Sequence, residues 1–159
     1  MSASSGRWRR RSGSQSSKRP PENLIWLEVI DLRSPNDFDG AFPALIDKRV
    51  GGISVVVGPL TYLLRQQIAD AAIKYHLPAI TNAKQFAQAG LLMSYGPNLD
   101  DLYRQAANYV DKILRGAAPA ELPVQQPSKF ELTINLKTAR ALGVKIPQSL
   151  ILLAEEVIE

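Results

Sequence analysis

Between Gly90 and Gly116 the chain reads GLLMSYGPNLDDLYRQAANYVDKILRG, and no other stretch restricts the fold as much. A short apolar run breaks at Gly96-Pro97, and a strongly amphipathic segment follows it. Asn98 can cap a helix there, because its side-chain oxygen can accept from an orphan amide of the first turn. Asp100 and Asp101 complement the positive helix end. Leu102, Ala106, Tyr109, Val110 and Ile113 recur at helical spacing and give one apolar face. Lys112 and Arg115 occupy the last turn, and Gly116 can supply the left-handed stop. A buried strand, a tight polar turn and a capped helix make one βα unit. Polar groups at such a turn lie at the carboxyl end of a strand, where open α/β sheets bind their ligands.

The same alternation runs through the rest of the chain. Leu24 to Leu32 reads as an apolar strand of buried character. Ser34-Pro35-Asn36-Asp37 starts a helix with Phe38, Phe42, Leu45 and Ile46 on its inner stripe, and Pro43 should kink or shorten it. Ile53 to Val57 is a second strand, and Gly58-Pro59-Leu60-Thr61 turns into a helix over Leu60 to Tyr75. Leu77 to Ile80 is a third strand, followed by Thr81-Asn82 and a short helix over about residues 83–89. Leu91 to Ser94 leads into the opening unit, whose helix is expected over Leu99 to Arg115. After a proline-rich connector, Lys129 to Asn135 alternates as a half-buried strand. Asn135 caps a helix over Leu136 to Leu142, and Pro147 starts a last helix carrying Leu150, Leu153, Ala154 and Val157. Strands alternating with helices imply an α/β fold, a mostly parallel sheet with helices on both faces.

Charge separates the chain into two regions. Residues 1–22 hold six basic groups against Glu22, whereas the remainder holds 13 basic and 14 acidic groups. The basic, Ser-rich stretch has Trp8 as its only large apolar residue, so it is expected to be disordered, with residues 23–159 as the α/β lobe. No nucleic-acid partner is expected, because the excess charge is that of a solvated tail. No apolar run approaches the ~18 residues of a membrane span, and no apolar segment follows the arginines as a secretory signal would require. The absence of cysteine removes disulfides, thiolate metal sites and a cysteine nucleophile.

Catalytic chemistry finds little support. His76, the single histidine, ends a helix and has no identifiable acid, cysteine or second histidine beside it, so a structural role is expected. Phosphate-loop and nucleophile-elbow motifs do not occur. No enzyme, metal site or cofactor is expected. What remains is a set of polar residues at strand ends: Thr61, Thr81, Asn82, Ser94, Tyr95 and Gly96. Small hydroxyls and free amides at such turns suit a small polar or zwitterionic ligand, although helix capping would account for the same residue types.

The stretches SPNDFDGAF, the GPL turn, KYHLPAI and the long run from AGLLMSYGPNLDDLYRQ to KTARALGVKIPQSL carry a resemblance. Residues 24–159 resemble the C-terminal half of the substrate-binding proteins of a bacterial ABC importer family related to tryptophan-type binding components. That resemblance implies a type I periplasmic-binding-protein fold, in which two α/β lobes close on a ligand. It implies a small-molecule ligand such as an amino acid, no catalysis, an ABC permease and ATPase as partners, and a periplasmic or extracellular location. A full member is about twice as long and carries an export signal, so this chain is expected to be a truncated, ligand-binding half. Residues 97–116 are then the helix that crosses toward the first lobe, and its apolar face would be bared. Two other readings stay open: a non-functional or self-associating fragment, forming a homodimer through the helix 99–115, and a small α/β enzyme or regulatory module.

Overall fold

The computed structural model describes residues 7–10 and 24–159. The expected disorder of residues 1–22 therefore lies outside the described residues, apart from strand β1 (Arg7–Arg10), which pairs in parallel with β2 (Leu24–Leu27). The remaining strands form a separate five-stranded sheet in the order β3 (Ile53–Ser54), β4 (Ala79–Thr81), β5 (Met93–Pro97), β6 (Phe130–Asn135) and β7 (Glu156–Ile158). All neighbours run parallel except β5 and β6, which are antiparallel. The sheet is thus mostly parallel, as its sequence pattern implies.

Several elements differ from the sequence reading, among them the strand expected over Ile53 to Val57, of which only Ile53–Ser54 forms β3. Leu24 to Leu32 does not form one buried strand: only Leu24–Leu27 is extended into a ladder, outside the main sheet, and Ile25, Leu27 and Val29 are exposed. Apolar content alone does not bury a strand, which needs neighbours along its edges, and among the described residues β2 pairs with β1 alone. At the other end, the last helix is a single turn, α7 (Gln148–Ile151), and Val157 lies in β7 instead. There the backbone of Leu132 on β6 holds the chain extended. Its carbonyl accepts from the Glu155 amide at 3.0 Å, and its amide donates to the Glu155 carboxylate at 2.6 Å.

The helices are α1 (Phe38–Asp47), α2 (Pro59–Leu63), α3 (Arg65–Lys74), α4 (Lys84–Gln88), α5 (Leu99–Leu114) and α6 (Leu136–Leu142), besides α7. Pro43 lies inside α1 without ending it. The bond it cannot donate would go to Asp39, whose position is exposed and whose carbonyl water can reach. The expected helix Leu60 to Tyr75 is divided at Leu64, which turns with φ −87° and ψ 8° while its side chain stays buried. The core sits between the sheet and α1, α3 and α4, where Phe42, Ile68, Ala72, Leu77, Ala79, Phe86 and Leu91 pack together. Leu150 and Leu153, from α7 and just after it, lie over Met93 and Tyr95 on the opposite face.

Helix ends follow one device. After α1, α3, α4, α5 and α6 the chain takes a positive φ at Arg49, His76, Gly90, Gly116 and Gly143, and the next amide reaches back to a carbonyl of the last turn. Glycine occupies three of these five left-handed positions at no steric cost. His76, with φ 52°, therefore acts as a helix stop. Replacing it by glycine should stabilise the fold by ~0.5–1 kcal/mol, seen as a raised melting temperature. A fall in stability would show that the imidazole holds more than the turn.

Candidate functional site

Because β3, β4 and β5 are parallel, their carboxyl ends share one edge of the sheet, and five of the six residues expected to meet a ligand come from the ends of β4 and β5, whereas Thr61 lies within α2. The strand pleat then divides them. Thr81 and Ser94 are register partners, and Ser94 in turn opposes Thr133, so the three form one row across the sheet. That row points inward with Ala79, and Ser94 is 1% exposed and Thr81 5%. The Thr81 and Thr133 hydroxyls have no hydrogen-bond partner among the described residues. Tyr95, one residue along, projects from the opposite face and stacks on Phe130 with ring centroids 5.7 Å apart. It borders an apolar groove of about 440 Å³ with Met93, Leu132, Leu150 and Leu153. Thr61 has its hydroxyl occupied by the α2 start: it accepts from the Gly58 amide at 2.8 Å and lies 2.9 Å from the Val56 carbonyl.

Asn82 and Gly96 do come together. They border a small cavity of about 20 Å³ with Lys84, Gln85, Leu99, Asp100 and Glu131. An ideal Cβ on Gly96 would lie 1.9 Å from the Asn82 carbonyl oxygen, so only glycine permits this approach. Lys84 Nζ lies 3.6 Å from Glu131 Oε2, and the Asn98 amide donates to Glu131 Oε1. Asn98 also caps α5, accepting from the Asp101 amide at 2.7 Å. One residue thus ties the helix start to the strand that returns beside it.

Lys84 and Glu131 were not among the residues marked in the sequence. The signal was available in part: Lys84 lies in the first turn after the Asn82 strand end. Glu131 carried no such mark, because its position opposite Gly96 follows only from the antiparallel β5–β6 register. Next to them, Asp101 has its carboxyl held below the ordinary value, first by Lys129, whose Nζ lies 3.2 Å away, and then by Gln105, which donates to it at 2.7 Å. A lowered carboxyl contributes stability that is complete above the unfolded-state value and is lost as pH falls through the folded one. Asp101→Asn should therefore flatten the acid limb of the denaturation midpoint against pH. An acid limb unchanged in the variant would place that dependence elsewhere.

The model of one protein family, described as ABC transporter substrate binding protein, matches residues 36–158. Among solved structures, a conserved domain protein from Vibrio cholerae matches with 26% identity and a TM-score of 0.75, over 85% of this chain and 45% of its own. An ABC domain from Streptococcus pneumonia, solved in complex with L-Trp, matches with 25% identity and a TM-score of 0.76, over 86% of this chain and 45% of its own. A ligand-free, open substrate binding protein with adhesive properties from Clostridium difficile shares the fold at 19% identity and a TM-score of 0.63. The chain spans about half the length of these solved proteins. No curated protein matches it.

Proposed function

The chain belongs to the ABC transporter substrate binding protein family, and on that premise we propose that it is a ligand-binding lobe for a small zwitterionic solute of the amino-acid class. The observation that carries this reading is the Lys84–Glu131 pair beside Asn82 and Gly96, a cation and an anion bordering one cavity at the carboxyl ends of β4 and β5. A zwitterion needs both signs within a few ångströms, and charge-assisted hydrogen bonds of this kind supply orientation as well as affinity. Lys84 and the Asn82 amide suit the solute carboxylate, and Glu131 and Asp100 suit its ammonium. The solved relative in complex with L-Trp supports the same ligand class.

The cavity is far smaller than the ~300–1,000 Å³ of a complete small-molecule site, so it forms one wall of a clamp. Thr81 and Ser94 lie beneath that wall and Thr61 holds the start of α2, whereas Tyr95 faces the groove on the other side of the sheet and takes no part in it. In this reading the helix α5 and the connector after it, which leave β5 and return at β6, form the crossing toward a second lobe. Family membership also supports an ABC permease and ATPase as partners and a periplasmic or extracellular setting. No helix among the described residues is long and apolar enough to cross a membrane.

Titration of the purified chain by calorimetry with a panel of L-amino acids tests the ligand class. Free amino acids should bind weakly, and their N-acetyl and carboxamide analogues should bind at least about tenfold more weakly, a difference of ~1.4 kcal/mol. Equal binding of blocked and free forms would contradict a zwitterion site.

A further inference from the structure

Gln85 borders the small cavity beside Asn82, Lys84 and Gly96. Its side-chain oxygen is buried and has no hydrogen-bond partner among the described residues. Buried polar atoms are almost always paired, and an unpaired acceptor costs free energy until a donor meets it. The Thr81 and Thr133 hydroxyls are also buried and unpartnered, but they sit in the inward row and do not border the cavity. Of the three, Gln85 alone borders a space that a ligand group can enter.

The local fold explains the placement. Asn82 leaves the end of β4 exposed, and Lys84 and Gln85 open α4. Phe86 and Ala87 turn fully into the core, which leaves the two preceding side chains at the cavity. The charges around it are unequal. Lys84 meets Glu131, whereas the Asp100 carboxylate has no ion pair or hydrogen bond among the described residues. One cation against two carboxylates leaves a negative charge to be met. The space is about 20 Å³, little more than one water-sized group. Gln85, Glu131 and Asp100 together offer acceptors for the three N–H donors of a primary ammonium.

We propose that Gln85 is a specificity-determining residue, which selects an unsubstituted primary ammonium at this cavity and rejects N-alkylated amino acids. This deepens the solute site at Lys84 and Glu131 and rests on it. An N-methyl group replaces one donor by a carbon for which the cavity has no room. It also leaves one buried acceptor unmet, the kind of loss that discriminates most strongly between close analogues.

Calorimetric titration of the purified chain reads this selection with two pairs: L-alanine and N-methyl-L-alanine, and L-tryptophan and its Nα-methyl derivative. The methylated member of each pair should bind at least about tenfold more weakly. Gln85→Met keeps the length of the side chain but removes the acceptor, so it should weaken the free amino acids and narrow the gap within each pair. Gln85→Glu keeps an acceptor and should preserve the gap. Because the Gln85 side chain has no partner in the free chain, Gln85→Met should melt no lower than the parent. Equal affinities within both pairs overturn the proposal. So does a Gln85→Met chain that discriminates like the parent or melts below it. If neither free amino acid binds, the solute site itself fails and the proposal falls with it; if both bind, these outcomes bear on Gln85 alone.

Discussion

Replacing Gly96 by alanine is expected to destabilise the fold by about 3 kcal/mol or more and to abolish solute binding with it. The reason is geometric. Gly96 is buried in β5, and a Cβ there would meet the backbone of Asn82: 1.9 Å from its oxygen, 2.7 Å from its carbonyl carbon and 3.0 Å from its Cα. Every clashing atom is main chain at the end of β4, so no rotamer change relieves the overlap. The strand, the β4–α4 turn or both must move, and the Asn82 and Lys84 side of the proposed site moves with them. Measured by urea denaturation, the loss should far exceed that of Gly51→Ala, where an added Cβ meets nothing within 4 Å. A Gly96→Ala protein of normal stability would mean that β5 and the Asn82 turn are farther apart than described.

Asn135→Ala is expected to cost ~1.5–2.5 kcal/mol, the second large effect. Asn135 is buried at the carboxyl end of β6 and serves three elements at once. Its side-chain oxygen caps α6 by accepting from the Thr138 amide at 3.0 Å, and its amide group donates to the Ala87 carbonyl at 2.9 Å. Ala87 belongs to the last turn of α4, whose carbonyls have no partner within the helix. Two neighbours of Ala87 are met in the same way, since Thr138 donates to the Gly90 carbonyl at 2.7 Å and Gln66 to the Ala89 carbonyl at 3.1 Å. Alanine removes a cap, worth ~1 kcal/mol, and one of two hydrogen bonds to the Ala87 carbonyl, which keeps the Gly90 amide at 3.1 Å, for ~0.5–1.5 kcal/mol more. Asn135→Ser can restore the cap but not the long donor, so its loss should be intermediate. Equal losses for alanine and serine would show that the cap contributes nothing.

Much of this architecture is legible in the sequence because local signals and the global fold agree. The βα alternation, the Asn98 and Asn135 caps and the glycine stops at Gly116 and Gly143 all depend on a few adjacent residues, and each is found where its chemistry places it. What is lost is what depends on distant neighbours. LIWLEVIDL is apolar enough for a core strand, yet strand burial is decided by what lies alongside. The last helix yields to β7 because a backbone partner, Leu132, stands 23 residues away from Glu155. At the site, composition marks hydroxyls at strand ends but does not say which face they take. One pleat step sends Ser94 inward and Tyr95 outward. Glu131 becomes visible only once β6 is known to run antiparallel to β5.

Whether solute is read at the carboxyl ends of β4 and β5 is tested most directly by an amide NMR titration of the isotope-labelled chain with L-tryptophan and with a smaller L-amino acid. The expected shifts grow with ligand, cluster at Asn82, Lys84, Gly96, Asp100 and Glu131, and are lost in Lys84→Ala. Shifts confined to Tyr95, Phe130 and Leu153 on the opposite face, or no shifts at millimolar ligand, would contradict a solute site there.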